Sequence, residues 1–148
     1  MKQRHSYTNL LFHVVMRTKQ RERLLFEQEE RAVERYMKQK AHELDGWIEE
    51  FGAWNDHLHL LLRIRPTHCL ADVYGQLKGF SAWSLRHPLQ DTPFAWADGV
   101  YAMTVDPDNC EGLRAYIRNQ RIHHADATIQ VRWEPPDDSP PGLPPGVS

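Results

Sequence analysis

Apolar and polar residues follow two different periods along this chain. Alternation with a period of two, or a run of β-branched and aromatic residues, predicts strands at 7–19, 47–55, 57–65 and 99–105. Recurrence at helical spacing predicts helices at 27–44, 70–86 and 106–125. This order, β-α-β-β-α-β with one added helix, predicts an α+β, ferredoxin-like or RRM-like fold. Helices would cover one face of an antiparallel sheet and leave the other face open.

The last predicted helix has clear start signals. Asp106 is a good N-cap residue and Pro107 suits the first helical position, so we expect the helix to begin there. Its apolar stripe consists of Cys110, Leu113 and Ile117. In the second helix, Gly79 would allow close approach either to the sheet or to a ligand, and the sequence does not decide between them.

The end of the chain lacks any periodic apolar pattern. Six of the ten prolines and three acidic residues lie in the last 16 residues, WEPPDDSPPGLPPGVS, which contain no Lys or Arg. Such a segment cannot bury enough apolar surface to offset the entropy of ordering it. We therefore expect one domain over residues 1–133 and a disordered, Pro-rich tail over 134–148.

Charge and composition narrow the class of protein. The chain has 148 residues and a net charge of -2, and its two cysteines do not form a CxxC pair. No apolar run is typical of a signal peptide or a membrane span, so a reducing cytoplasm is the expected location. Since the charge is near neutral, any affinity for nucleic acid must come from a local basic patch. The candidate patch is Arg17, Lys19, Arg21 and Arg23, and its alternative is a solvated loop.

Two histidines in the stretch WNDHLHLLLRIRP, residues 54–66, share one face of a predicted strand. His57 and His59 alternate with leucines that must face the helices, so they project from the opposite face. His13 on the first strand would lie beside them. Histidines two apart on a strand can bind one divalent ion, although such pairs also arise by chance. Asp56 alternates to the other side and is not expected to be a ligand.

Tyr116 and Gln120 are four residues apart in the last predicted helix and border its apolar stripe, where a tyrosine is usually part of the core. With them, the segments NLLFHVVMRTKQR, DHLHLLL, LKGFSAW and YIRNQRIHH resemble, in this order, the single-tyrosine HUH transposases of the smallest insertion sequences and their REP-associated relatives. The resemblance covers about residues 7–124.

The resemblance implies an enzyme that cleaves and rejoins single-stranded DNA through a 5′-phosphotyrosine. Tyr116 would be the nucleophile, and His57, His59 and Gln120 would hold Mg²⁺ or Mn²⁺. Family members recognise DNA hairpins and act as homodimers in which the tyrosine helix of one subunit can complete the active site of the other. Candidate DNA contacts are His13, Arg17, Lys19, Arg21 and Lys78.

Other functions remain open at this point. A sheet face with basic and aromatic residues can bind single-stranded nucleic acid without cleaving it. A metal-dependent or two-histidine phosphoesterase would hydrolyse rather than transfer. The two-histidine type needs two His-x-Ser/Thr motifs, and none is present. A domesticated REP-associated relative would keep the chemistry without moving an element.

Overall fold

Four antiparallel strands form one sheet in the computed structural model, which describes residues 6–87 and 93–136. The strands, in the spatial order β2-β3-β1-β4, are β1 (Leu10–Arg17), β2 (Trp47–Trp54), β3 (His57–Ile64) and β4 (Tyr101–Val105). The helices are α1 (Glu27–Glu43), α2 (Leu70–Arg86), α3 (Glu111–Arg118) and α4 (Gln120–Ala125). Short 3-10 turns cover Lys19–Arg21 and Val131–Trp133. The predicted α+β, ferredoxin-like fold is confirmed.

One face of the sheet packs against α1 and α2. Leu58, Leu60 and Leu62 of β3 lie on this face as predicted, and Val14 and Met16 of β1 join them. From the helices, Val33, Met37 and Leu77 close the core, and each is fully buried. Because the buried side chains of this face are apolar, burial of their area stabilises the sheet without any polar group to satisfy.

The opposite face is also covered, which corrects the expectation of an open face. Helix α3 packs on β2 and β3 through a small cluster of Leu11, Leu61, Cys110, Leu113 and Ile117. The helix needs this contact because its apolar stripe would otherwise face water. Gly52 of β2 permits it, since a Cβ built there would lie 1.6 Å from the Ile117 carbonyl oxygen.

The last helix differs from its prediction in two ways. It begins at Glu111 rather than at Asp106, whose carboxylate accepts hydrogen bonds from Asp108 N and Asn109 Nδ2 and so caps a turn. It is also interrupted at Asn119, with φ of -106° and ψ of 28°. Tyr116 and Gln120 therefore lie on two consecutive short helices.

Two further expectations concern the predicted tail and membrane-spanning segments. Of the predicted tail, residues 134–136 are described and 137–148 lie outside the described residues. No helix within 6–87 or 93–136 combines the length and the apolar character that crossing a bilayer requires.

Candidate active site

Four polar side chains converge where the face of the sheet opposite α1 and α2 meets α3. His57 and His59 of β3 are 3% and 0% exposed. Glu134, directly after the Val131–Trp133 turn, places Oε1 3.2 Å from His59 Nε2 and 3.4 Å from His57 Nε2. Its other oxygen accepts a hydrogen bond from the Tyr116 hydroxyl. One carboxylate thus joins the two histidines to the tyrosine.

Each histidine is held from its far side by another residue. His57 Nδ1 donates to the Asp56 carboxylate over 2.7 Å. His59 Nδ1 shares a 2.8 Å hydrogen bond with His13 Nε2, and the two rings stack with their centroids 5.1 Å apart. These contacts turn both Nε2 atoms toward Glu134, as second-shell partners orient ligands in metal proteins.

Burial sets the charge state of this cluster. It lowers the pKa of His13 to about 3, with a further lowering from His59, and it also lowers the pKa of His59. Burial lowers the pKa of His57 as well, but the nearby Asp56 and Glu134 carboxylates outweigh it and leave the pKa raised. The two neighbouring histidines hold the pKa of Glu134 low despite its burial.

The tyrosine itself is held in its neutral form. Burial, together with the hydrogen bond to Glu134, raises the pKa of Tyr116 to about 12. At neutral pH the phenol therefore keeps its proton, because a phenolate beside the Glu134 carboxylate would be repelled. An additional positive charge at this point would favour the phenolate.

The cluster suits a divalent cation. The ligand atoms of His57, His59 and Glu134 all lie within 4.8 Å of one another. Around an octahedral ion with bonds of about 2.1 Å, neighbouring ligand atoms are roughly 3 Å apart, close to the two separations from Glu134. His57 Nε2 is buried and finds no hydrogen-bond partner among the described residues. Two imidazoles and a carboxylate form a donor set that Mn²⁺ accepts readily.

Gln120, predicted as a ligand, contacts His124, and His124 in turn contacts His57. It is 1% exposed, and its Nε2 donates to the Tyr116 carbonyl oxygen over 3.3 Å. Its Oε1 is 3.2 Å from His124 Nε2. The His124 ring in turn stands edge-on to His57, with centroids 4.9 Å apart, and stacks on Trp54.

The predicted DNA contacts fall into two groups. Arg17, Lys19 and Arg21 follow one another at the end of β1, where Arg17 pairs in register with His57 and Arg21 forms an ion pair with Asp56 at 3.2 Å. This basic patch therefore adjoins the site. His13 is only 2% exposed and supports His59, so the structure gives it no surface for DNA, contrary to the expectation. Lys78 Nζ donates to the carbonyl oxygens of residues 97 and 99, over 2.6 Å and 2.9 Å.

Glu134 was missed by the sequence analysis, which assigned it to the tail. A single acidic residue among prolines carries no signal of its own. The available signal was Trp133, a large apolar residue at the head of a polar segment. Its ring packs against the Leu11 and Leu61 cluster and lies 5.1 Å from the Tyr116 ring.

Comparisons with a family model and with known proteins indicate the same family. The family described as Transposase IS200 like matches residues 6–120. Transposases for insertion sequence element IS200 from Salmonella typhimurium (strain LT2) and Salmonella typhi are each 28% identical over 122 residues. Each alignment covers 78% of this chain and 80% of the relative.

Two solved structures share the fold. A crystal structure of a candidate transposase from Deinococcus radiodurans R1 superposes with a TM-score of 0.64 at 25% identity, covering 81% of this chain and 97% of that one. A REP-associated tyrosine transposase bound to a REP hairpin gives a TM-score of 0.60 at 12% identity, covering 84% of this chain and 74% of that one. The second likeness concerns the fold alone.

Proposed function

Because this chain belongs to the IS200-like transposase family, we propose that it cleaves and rejoins single-stranded DNA through a covalent 5′-phosphotyrosine at Tyr116. The observation that carries the proposal is the convergence of the Tyr116 hydroxyl and of His57 and His59 on one buried carboxylate. A nucleophile beside a candidate cation site is the arrangement that phosphoryl transfer requires.

The reaction needs few groups from the protein. The Tyr116 oxygen forms a bond to phosphorus while the bond from phosphorus to the 3′-oxygen breaks. The phenol releases a proton, and the departing 3′-oxygen takes one up, so the products are a 5′-phosphotyrosine and a free 3′-hydroxyl. In the second step a 3′-hydroxyl attacks the phosphotyrosine, which restores the phenol and reseals a strand.

The residues around Tyr116 hold the reactants in place. Mg²⁺ or Mn²⁺ bound by His57, His59 and a third ligand, a position that the resemblance assigns to Gln120, would stabilise charge on the phosphoryl and leaving oxygens. The hydrogen bond to Glu134 fixes the direction of the phenol hydroxyl. Tight packing of α3 on β2 at Gly52 fixes the position of its ring relative to the sheet.

We extend the substrate class of the hairpin-bound neighbour to this chain. Arg17, Lys19 and Arg21 stand beside His57 and would bind the phosphates of a strand that leads into the site. Lys78 would contribute to DNA binding indirectly, by holding the loop of residues 97–99 in place through its two hydrogen bonds. We also propose that the chain acts as a homodimer. Within a single chain, Tyr116 already faces the histidines, with its ring centroid 5.8 Å from that of His59.

The test is a covalent trapping assay with purified protein. Labelled single-stranded oligonucleotides from both flanks of the gene are incubated with Mn²⁺ or with EDTA, and denaturation-resistant protein-DNA adducts are measured. We expect an adduct that requires metal, is lost in Tyr116→Phe and persists in Tyr101→Phe. Tyr101 is a matched control because it lies on the face of the sheet that carries the histidines. Its hydroxyl donates to Met103 Sδ there.

Three results would change the proposal. An adduct that persists in Tyr116→Phe would remove Tyr116 from the mechanism. DNA binding without any adduct would favour the single-strand-binding module. An adduct that forms equally well in EDTA would remove the metal.

A further inference from the structure

We propose that Glu134 is the third protein ligand of the metal ion, in the position that the family resemblance assigns to Gln120. The inference rests on the metal-assisted function proposed above. It concerns a residue that lies beyond the family match, which ends at residue 120. Three observations support it: the approach of His57 to Glu134, the approach of His59 to Glu134, and the other contacts that Gln120 makes.

At His57 a buried ring nitrogen faces a carboxylate oxygen. A carboxylate only accepts hydrogen bonds, so the 2.7 Å contact with Asp56 requires the proton on His57 Nδ1. Nε2 then faces Glu134 Oε1, 3.4 Å away, and it forms no hydrogen bond among the described residues. A buried polar atom without a hydrogen bond costs free energy unless another partner, such as a cation, satisfies it. A divalent ion bound by both atoms satisfies both.

His59 directs a second nitrogen to the same oxygen. Its Nδ1 is engaged by His13, and its Nε2 is 3.2 Å from Glu134 Oε1. The carboxylate is therefore within reach of both imidazoles at once, at separations near the roughly 3 Å between neighbouring ligands of a six-coordinate ion. The carboxylate also brings a negative charge, which an amide oxygen does not.

Gln120 is engaged elsewhere. Both ends of its amide have partners, the Tyr116 carbonyl oxygen at 3.3 Å and His124 at 3.2 Å. Because these contacts span the junction of α3 and α4, Gln120 fixes the helix that carries Tyr116. Its oxygen therefore contacts His124, whereas the Glu134 oxygen contacts His57 and His59 directly.

Glu134 is held in place by its neighbours. Trp133 packs in the small apolar cluster and against the Tyr116 ring, and Gln130 N donates to the Tyr116 hydroxyl over 3.2 Å. A Cβ at Gly112 would lie 3.5 Å from the Trp133 ring, so helix and turn are in close contact. The segment that carries the ligand is thus packed against the residue that carries the nucleophile.

The test measures metal binding directly, without DNA. Isothermal titration of the full chain with Mn²⁺ compares wild type with His59→Ala, Glu134→Gln and Gln120→Met, with circular dichroism as the folding check. We expect Glu134→Gln to weaken Mn²⁺ binding by roughly tenfold or more, as loss of a site residue does. Gln120→Met should weaken it by less than roughly threefold. Glu50→Gln is the control, since Glu50 lies on β2 and pairs with Arg118.

A second readout separates ligation from structural support. Co²⁺ absorbs visible light according to the atoms that bind it, so its spectrum at saturation should differ between wild type and Glu134→Gln. A residue that only supports the fold would change the affinity and leave the saturated spectrum unchanged.

The outcomes distinguish this inference from the proposed function. Wild-type affinity and spectrum in Glu134→Gln, with binding lost in His59→Ala, would overturn Glu134 as a ligand and leave the histidine site standing. A large loss in Gln120→Met alone would give the position to Gln120. A wild-type chain that binds neither Mn²⁺ nor Co²⁺ would overturn both the inference and the metal-assisted function.

Discussion

The two faces of the central sheet are both buried, but they are built from different chemistry. Toward α1 and α2 the strands bury only apolar side chains, and their burial needs no partner beyond close packing. Toward α3 the buried side chains include three histidines and a glutamine, His13, His57, His59 and Gln120. Each polar atom there must find a partner, because an unpaired one costs free energy.

The faces also differ in the sequence distance that they bring together. On the apolar face, α1 contacts β2, the next strand along the chain, and α2, which follows two strands later. On the histidine face, residues 13, 59 and 134 meet through side-chain contacts. The polar face therefore depends on the correct arrival of a distant segment, and its function is more sensitive to displacement than the fold is.

We expect the largest effect from a substitution at the contact between α3 and the sheet, because the position of the polar site depends on that contact. A Cβ at Gly52 would lie 1.6 Å from Ile117 O and 2.8 Å from its carbon, both backbone atoms that cannot turn away. Gly52→Ala should lift α3, cost about 3 kcal/mol and abolish the covalent adduct. Urea unfolding and the trapping assay measure the two effects.

Gly79→Ala on α2 is the matched control. Nothing in the described chain lies within 4 Å of a Cβ there, so the close approach to the sheet considered from the sequence is absent. The change should be neutral or stabilise the helix by up to about 1 kcal/mol, with the adduct unchanged. If Gly52→Ala kept full adduct formation, the site would not depend on this contact.

The apolar face could be predicted from the sequence because it obeys short-range periodicity. The alternation of Leu58, Leu60 and Leu62 fixed the strand and its buried side, and the same alternation put His57 and His59 together on the other side. These inferences need only the geometry of one strand. The resemblance then supplied Tyr116, which no periodicity distinguishes from a core tyrosine.

The remaining parts depend on tertiary contacts that have no local signal. Asp106 and Pro107 have the residue types of a helix start, yet the Asp106 carboxylate closes a turn, and α3 begins at Glu111 instead. Asp56 points away from the histidine face by alternation, but it is next to the ring of His57 and reaches Nδ1 from the side. Glu134 meets the histidines only because Trp133 finds an apolar cluster formed by β1, β3 and α3.

Neighbouring residues of β1 allow the two faces to be compared directly. His13 supports His59 from the polar side, so His13→Ala should weaken Mn²⁺ binding by roughly 10–100-fold, the usual cost of losing such a partner. Val14 is fully buried on the apolar side, so Val14→Ala should cost roughly 2 kcal/mol of stability and leave Mn²⁺ affinity unchanged. Titration calorimetry and urea unfolding of both variants give the comparison.

His13→Gln sharpens the result, because an amide can still hydrogen-bond to His59 Nδ1 and should restore part of the affinity. Equal Mn²⁺ affinities in His13→Ala and Val14→Ala would show that the support of His59 has no effect on the metal.

The smallest difference should appear at the solvent-exposed edges of the two faces. Arg118 on α3 pairs with Glu50 at 3.0 Å with 54% of its side chain exposed, and Lys38 on α1 pairs with Glu34 at 2.6 Å with 49% exposed. Water and salt screen both pairs, so Arg118→Ala and Lys38→Ala should each cost less than about 1 kcal/mol in urea unfolding. A much larger cost for Arg118→Ala, reduced at high salt, would mean that this ion pair holds α3 on the sheet. The distinction between the faces would then extend from their buried groups to their surface charges.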